Sequence, residues 1–366
     1  MRILIIKLGA LGDVLRTTPL LTQLKCRYPA SHISWLVDPK HAAVLEDNPL
    51  VDNLLRYSDE SLFLLKKADF DWAVNLDKEP EALDAMTLAR AEKKMGFGRS
   101  AAGDLCPLDS LSEYAYRLGI DDDLKFRRNK KTYQEITFEQ LGLCFNKEEY
   151  QFPEKEEDRL FAERHLRGSG LGAGNSGKPT VGLNTGSGHR FTGKKLPLST
   201  FAALAERFFR EMGATVLLLG GKDEIERNKQ LEKLCPCPVI NTGSHSIRRF
   251  AALVKRCDLV VSGDTTAMHI AIARQVPVVA YFASTCAAEI ELYGRGRKVI
   301  SDISCAPCYL RICPIDEQCM KDMSVGALFD AAKEVLGESV IARAPQAPEA
   351  IYAEQRLLRR PSDSSQ

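Results

Sequence analysis

Seven short apolar runs rich in β-branched residues recur along the chain, and they limit its fold more than any other feature. They are RILIIKL (2–8), HISWLV (32–37), FDWAVNL (70–76), PTVGLN (179–184), ATVLLLGG (214–221), DLVVSG (258–263) and VPVVAYFA (276–283). Runs that are apolar throughout, rather than at alternate positions, read as parallel strands buried on both faces, and such strands need a helix between each and the next. Helical patterns supply it. LSTFAALAERFFREM (198–212) has apolar residues at helical spacing, with Ser199 or Thr200 placed to cap its start. Strand and helix alternate in both halves, which argues for an α/β chain of two doubly wound domains.

A chain of 366 residues is long enough for two cores. The glycine- and serine-rich stretch RGSGLGAGNSGKP (167–179) has no apolar period and reads as the connection. The expected division is therefore 1–166, a linker 167–178, and 179–338. Residues 339–366 lose apolar periodicity and gain Pro, Ala and Ser, as a mobile tail does, although 351–360 has the makings of a short helix. The apolar start, MRILIIKLGALGD, is broken by Lys7 and Asp13 and lacks a small-residue cleavage site, so it reads as a strand and not as a signal peptide. No run approaches the roughly 20 apolar residues of a membrane span, and a cytoplasmic protein is expected. Fifty Lys and Arg against 49 Asp and Glu leave a net charge of +1, which gives no overall field for nucleic acid.

Open α/β sheets bind ligands at the C-terminal ends of their strands, so the stretches that follow strands carry the functional signal. In KLGALGDVLRTTP (7–19) two glycines turn the chain after the first strand and Asp13 stands at a helix start, as a cap or as an acid–base group at a cleft. TGSGHRFTGKKLP (185–197) offers backbone N–H groups and lysines to an anion, without the spacing of a nucleotide-hydrolase P-loop. In VVSGDTTAMHIAIARQVPVV (260–279) a strand leads through Asp264, Thr265 and Thr266 into a helix bearing His269. LLLGGKDEIERN (217–228) sets Lys222, Asp223 and Glu224 after a double glycine, a corner suited to a base or ribose or simply to solvent. Cys305, Cys308, Cys313 and Cys319 lie within fifteen residues. They can close a structural zinc site, ligate an iron–sulfur cluster, pair as disulfides or stay as reduced packing thiols. The basic run KFRRNKK (125–131) is either a solvated loop or a contact for anionic sugar phosphates and lipid head groups.

Taken in this order, GDVLRTTP, GSG followed by KxLP, LLLGG with trailing acids, SGDTTAMHIA and CAPCYLRICPIDEQCMK resemble the heptosyltransferases of glycosyltransferase family 9, over about residues 1–336. The resemblance implies a GT-B fold, two facing Rossmann-like domains with the acceptor approached from the first and the donor held by the second. A last helix from Val325 to Leu336 would cross back. It implies an inverting transfer of heptose or a related sugar from a nucleotide diphosphate, ADP-heptose in the family, to a lipopolysaccharide inner-core acceptor. Such an enzyme needs no cofactor for catalysis, and it works at the cytoplasmic face of the inner membrane in peripheral contact with it.

By matching position, Asp13 would be the general base, Ser187 and Lys194 would meet the donor diphosphate, and Asp264, Thr265, Thr266 and His269 would line the donor pocket. Glu224 would sit near adenine or ribose. The family commonly has Trp where this chain has Leu196, and residues 189–193 read as an insertion, so Lys194 and Lys195 both remain candidates for the phosphate contact. Two other functions fit a similar fold: a nucleotide-sugar epimerase, which needs no acceptor, and a nucleotide-sugar-binding protein without turnover.

Overall fold

The computed structural model of the chain describes residues 1–169, 177–188 and 193–343. Its first sheet holds β1 (Arg2–Ile6), β2 (His32–Val37), β3 (Asn53–Arg56), β4 (Asp69–Asn75), β5 (Arg90–Arg99) and β6 (Leu105–Pro107). The second holds β7 (Thr180–Asn184), β8 (Thr215–Leu219), β9 (Ile240–Asn241), β10 (Leu259–Gly263), β11 (Val278–Phe282) and β12 (Gly296–Ile300). The spatial orders are β3-β2-β1-β4-β5-β6 and β9-β8-β7-β10-β11-β12, the same doubly wound plan twice. Every strand pair is parallel except β5 with β6. In both sheets the order reverses between the first and fourth strands, so the two switch points are the ends of β1 and β4 and of β7 and β10.

The seven apolar runs are the central strands. The strands that the pattern leaves out lie toward the edges, where one face is solvated and the sequence turns polar: β5 reads RAEKKMGFGR and is buried only over its second half. The helix Leu198–Met212 buries Phe201, Leu204, Ala205 and Phe208, and Gly213 ends it in the left-handed conformation (φ 62°) that glycine adopts without steric cost. Its start differs from expectation. Pro197 holds the cap position, and Ser199 and Thr200 lie inside the first turn, because proline's fixed φ and missing N–H suit that entry.

The helix Val325–Arg343 packs on the second sheet, with Leu328, Phe329 and Ala332 in one apolar cluster with Phe208 and Val261. It therefore stays with the second half instead of crossing back, and it continues past residue 338. Residues 344–366, the segment 351–360 included, lie outside the described residues, as do 170–176 of the expected linker.

The halves are closely joined. The helix Glu156–Gly168 precedes the connection, yet its Ala162 and Leu166 share an apolar cluster with Phe250 and Leu253 of the second half. Arg295 holds Glu149 with two bonds of 2.6 and 2.7 Å, and Arg274 donates to the Phe152 carbonyl at 2.8 Å. These contacts set the C-terminal ends of the two sheets facing each other.

Candidate active site

Between the sheets lies a cavity of about 560 Å³ whose walls come from both halves. The eight residues singled out by matching position, Asp13, Ser187, Lys194, Glu224, Asp264, Thr265, Thr266 and His269, all line it. They are brought together from positions up to 256 residues apart because each follows a strand end, at a switch point for all but Glu224, which follows β8.

Asp13 reaches the cavity from α1 (Leu11–Thr17), and it does not cap that helix. Ala10 occupies the cap position without a side-chain bond, while the Asp13 carboxylate binds Arg16 one turn on, Oδ1 to Nη2 at 2.8 Å. Burial alone would raise the acid's pKa, but the charges of Arg16 and Lys7 outweigh it and hold Asp13 down at about 2. Arg16 lies with its guanidinium 3.8 Å over the Tyr133 ring and 3.7 Å from Glu289, a residue of the second half.

The turn that delivers α1 is pinned from beneath. Asp77, just after β4, accepts bonds from the N–H groups of Leu8 and Gly9 and pairs with the buried ammonium of Lys7. Burial would lower the Lys7 pKa, yet Asp77 overrides it and keeps the lysine charged.

On the facing side, Lys194 donates to both the carbonyl and Oδ2 of Asp264, each at 3.0 Å. Burial opposes ionisation of Asp264, but Lys194 and then His269 keep its pKa below the ordinary carboxylate value. Lys194 faces the cavity and Lys195 is not among the residues lining it. Residues 189–192, the core of the candidate insertion, lie outside the described residues.

The Ser187 hydroxyl is buried in this loop with no hydrogen-bond partner among the described residues, which suits an oxygen ligand. Thr265 caps the helix Thr266–Ala273 by position, without a side-chain cap bond, and its hydroxyl instead meets Asn184 Nδ2 at 3.2 Å and Ser262 at 3.1 Å. Glu224 accepts the Gly221 N–H at 2.9 Å and packs against Gly186, where a Cβ would fall 2.3 Å from its carboxyl carbon.

His269 is buried between the halves. Its ring is stacked beside Tyr150, with Nδ1 3.4 Å from the tyrosine hydroxyl and Nε2 3.9 Å from Asp264. Burial, then Arg16, push it down to about 4, so it is neutral near pH 7. A neutral buried histidine positions its neighbours and gives no charge to a bound anion.

Arg16, Asn184, Lys125, Glu289 and Tyr309 also line the cavity and were not singled out for it in the sequence. Arg16 left a signal, since it stands three residues after Asp13 and so on the same helical face. Glu289 follows no motif, and Tyr309 lies within the cysteine-rich stretch, directly after Cys308, where nothing marks it for the cavity. Of the basic run, Arg128 is held by Asp121 and Asp123 and Lys131 by Glu139, whereas Lys125 faces the cavity.

The four cysteines of residues 305–319 lie outside the cavity and are free thiols. Burial raises the Cys319 pKa, and the other three thiols follow as causes, so the four are within electrostatic reach of one another. Cys313 Sγ accepts the Glu317 N–H at 3.2 Å. Among the described residues, no three His, Cys, Asp or Glu side chains are gathered closely enough to hold a metal. None of the described helices is long and apolar enough to cross a membrane.

Two doubly wound domains that face each other across a cleft, with an ionised aspartate on one wall and a lysine, a hydroxyl and helix N-terminus residues on the other, define a GT-B glycosyltransferase. The sequence profile of glycosyltransferase family 9 (heptosyltransferase) matches residues 64–318, and the chain belongs to that family. Lipooligosaccharide heptosyltransferase 2 of Campylobacter jejuni is 28% identical over 179 residues, 45% of this chain and 53% of that protein. The chain thus spans about half the length of that relative. The crystal structure of a family 9 glycosyltransferase from Veillonella parvula superimposes with a TM-score of 0.73 at 23% identity, over 92% of this chain and 97% of that one. E. coli ADP-heptose lps heptosyltransferase II gives 0.65 at 16% identity, over 93% and 99%.

Proposed function

We propose that the protein transfers heptose, with inversion, from ADP-heptose to an acceptor of the lipopolysaccharide inner core. The observation that carries this reading is the meeting of Asp13, from the first switch point, with Lys194, Ser187 and Asp264, from the second, in one cavity. An acceptor hydroxyl beside Asp13 would lose its proton to the carboxylate while its oxygen bonds to the anomeric carbon and the carbon–oxygen bond to the diphosphate breaks on the far side. Lys194 and the unpartnered Ser187 hydroxyl would take up the charge growing on the departing diphosphate. Lys194 must then share its ammonium between Asp264 and phosphate, so donor binding would loosen that pair. Ile247 and Phe250 give the cavity an apolar wall for the base, with Glu224 at the neighbouring corner.

Asp13 is a weak base at a pKa of about 2, and it acts as the hydroxyl acidifies in the transition state. Keeping Asp13 ionised at every working pH is what Arg16 contributes. The test is direct: the purified chain, ADP-heptose and a heptose-deficient lipopolysaccharide should give a product heavier by one heptose, with the anomeric configuration opposite to the donor's by NMR. Epimerised sugar appearing without acceptor would contradict the assignment.

The four cysteines are assigned a structural role, and a zinc ion or an iron–sulfur cluster held by them is part of the proposal. It is supported by their spacing within fifteen residues and by the N–H bond to Cys313, and it requires the four thiols to draw closer together than they stand here. No catalytic step runs through them. Metal analysis of the purified protein, with a count of reactive thiols, tests it: about one equivalent of metal and blocked thiols support it, and metal-free protein with four reactive thiols contradicts it. Lipid contact through the exposed residues Arg127 and Lys130 is proposed likewise. Sedimentation with anionic vesicles that falls when both are replaced by Ser would support that contact.

A further inference from the structure

Asp13 is paired with Arg16, and Arg16 in turn rests on Tyr133. The guanidinium reaches Asp13 Oδ1 through Nη2 at 2.8 Å, while Nη1 stands 3.7 Å from Glu289. Its Nε is buried and finds no acceptor among the described residues. Contacts at the tips alone leave a planar group free to roll about its long axis, so a third contact is needed to set its plane. The Tyr133 ring supplies it. The guanidinium carbon lies 3.8 Å over the ring centre, where the electron-rich face attracts a cation. Lys7, the second charge that keeps Asp13 ionised, lies 5.8 Å from the same ring.

Tyr133 also reaches Asp13 by a second route. Thr17 Oγ1 donates to the Asp13 carbonyl at 2.8 Å, which leaves its lone pairs to accept, and the Tyr133 hydroxyl donates to it at 3.0 Å. The ring thus steadies the carboxylate through Arg16, and the hydroxyl steadies the backbone of the same residue through Thr17.

The tyrosine is itself well anchored. It opens the helix Tyr133–Glu139, where Thr132 Oγ1 accepts the Glu135 N–H at 3.3 Å and Glu135 Oε2 accepts the Thr132 N–H at 2.6 Å, a reciprocal cap. Its own N–H has no acceptor within the helix and donates to the Glu289 carbonyl of the second half at 2.9 Å. Tyr133 is not among the residues lining the cavity, so it acts from behind Arg16.

We propose that Tyr133 is a positioning residue for the transfer: its ring and hydroxyl hold Arg16 and Thr17 so that the Asp13 carboxylate keeps its place in the cavity. It touches no substrate. The proposal rests on the reading of Asp13 as the base, and it adds the support that keeps the base aligned.

The experiment is a double-mutant cycle on kcat in the full chain, with Tyr133→Leu and Arg16→Met made singly and together. Tyr133→Leu removes the ring face and the hydroxyl but leaves the bond to Glu289, which the backbone makes. Its kcat should fall roughly tenfold or more, because a small misplacement of a reacting group slows the chemical step, with acceptor KM and ADP affinity within about threefold of wild type. In the Arg16→Met background the same substitution should lower kcat by less than about threefold, since the group it supports is gone. Tyr133→Phe keeps the ring and should restore kcat to within about threefold of wild type. Tyr133→Met refills the space without a ring face, and it reads the same cycle if Tyr133→Leu folds poorly. A kcat near wild type in the folded ring-less variants, or an equal loss with Arg16 present and absent, would overturn the proposal. Asp13→Asn, assayed alongside, separates the two levels. If it keeps its rate, the base assignment fails and the proposal with it, whereas a slow Asp13→Asn beside an unimpaired Tyr133→Leu refutes the support alone.

Discussion

Gly12 of the first half and His269 of the second meet so closely that a Cβ on the glycine would fall 2.6 Å from His269 Cδ2. α1 and the helix Thr266–Ala273 are thereby docked at a point where only glycine fits, and this contact sets how near Asp13 comes to Lys194 and Asp264. Gly12→Ala should force the two helices apart. Overpacking of this kind costs about 1–3 kcal/mol. The expected result is a Tm several degrees lower and turnover reduced more than tenfold, with nucleotide affinity little changed, since the residues proposed to hold the donor sit in the second half. Unaltered turnover in a stably folded variant would show that the contact does not set catalytic geometry.

The protonation of His269 gives the stability of the folded chain a pH dependence of definite sign. Its pKa falls from an ordinary 6.5 to about 4 on folding, so the unfolded chain binds the proton first. Stability is therefore complete above pH 6.5 and is lost as pH falls from there toward 4, by at most about 3 kcal/mol. His269→Gln removes the titration. Its Tm should change less between pH 7 and pH 5 than that of the wild type, and equal slopes in the two melting series would contradict the assignment.

Much of this site was legible because strand ends and glycines mark it. The runs RILIIKL and DLVVSG are central strands, and the residues right after them, Asp13 and Asp264, face one cavity. What was not legible depends on tertiary contact. The strands β5, next to the edge, and β12, at the edge, mix buried and exposed positions and lack the continuous apolar signal. The Asp13–Arg16 pair shares a helix face and could be read from spacing, but Glu289 comes from a loop with no local pattern, and Tyr309 from a stretch whose pattern is its cysteines. Which of Lys194 and Lys195 faces the cavity depends on the loop's path, which turns Lys194 toward Asp264.

Arg16 is expected to govern the acid side of the reaction. It is the largest of the charge effects lowering the Asp13 pKa, so Arg16→Met should move the acid limb of the kcat/KM profile upward from about pH 2 toward the ordinary carboxylate range. Arg16→Lys, which retains a charge, should shift it less. An acid limb that stays in place in Arg16→Met would mean that another group sets it.

Lys194 and Lys195 should separate cleanly in donor binding. Lys194→Ala removes a charge-assisted contact worth about 1.5–3 kcal/mol, so the Kd for ADP should rise roughly ten- to a hundredfold. Lys195→Ala should change it less than twofold. Calorimetry on the two variants decides the matter, and equal affinities would place the phosphate contact elsewhere.

The central claim is that Asp13 is the base, and Asp13→Asn tests it most directly. Asn keeps the size of the side chain and removes its charge, while the helix start, which Asp13 does not cap, is left as it is. Single-turnover transfer should be measured at saturating donor and acceptor, alongside ADP affinity and Tm. The account predicts a rate lower by roughly 10²–10⁴-fold, the usual contribution of general acid–base catalysis, with ADP affinity and Tm near wild type. A rate within a few-fold of wild type would contradict it.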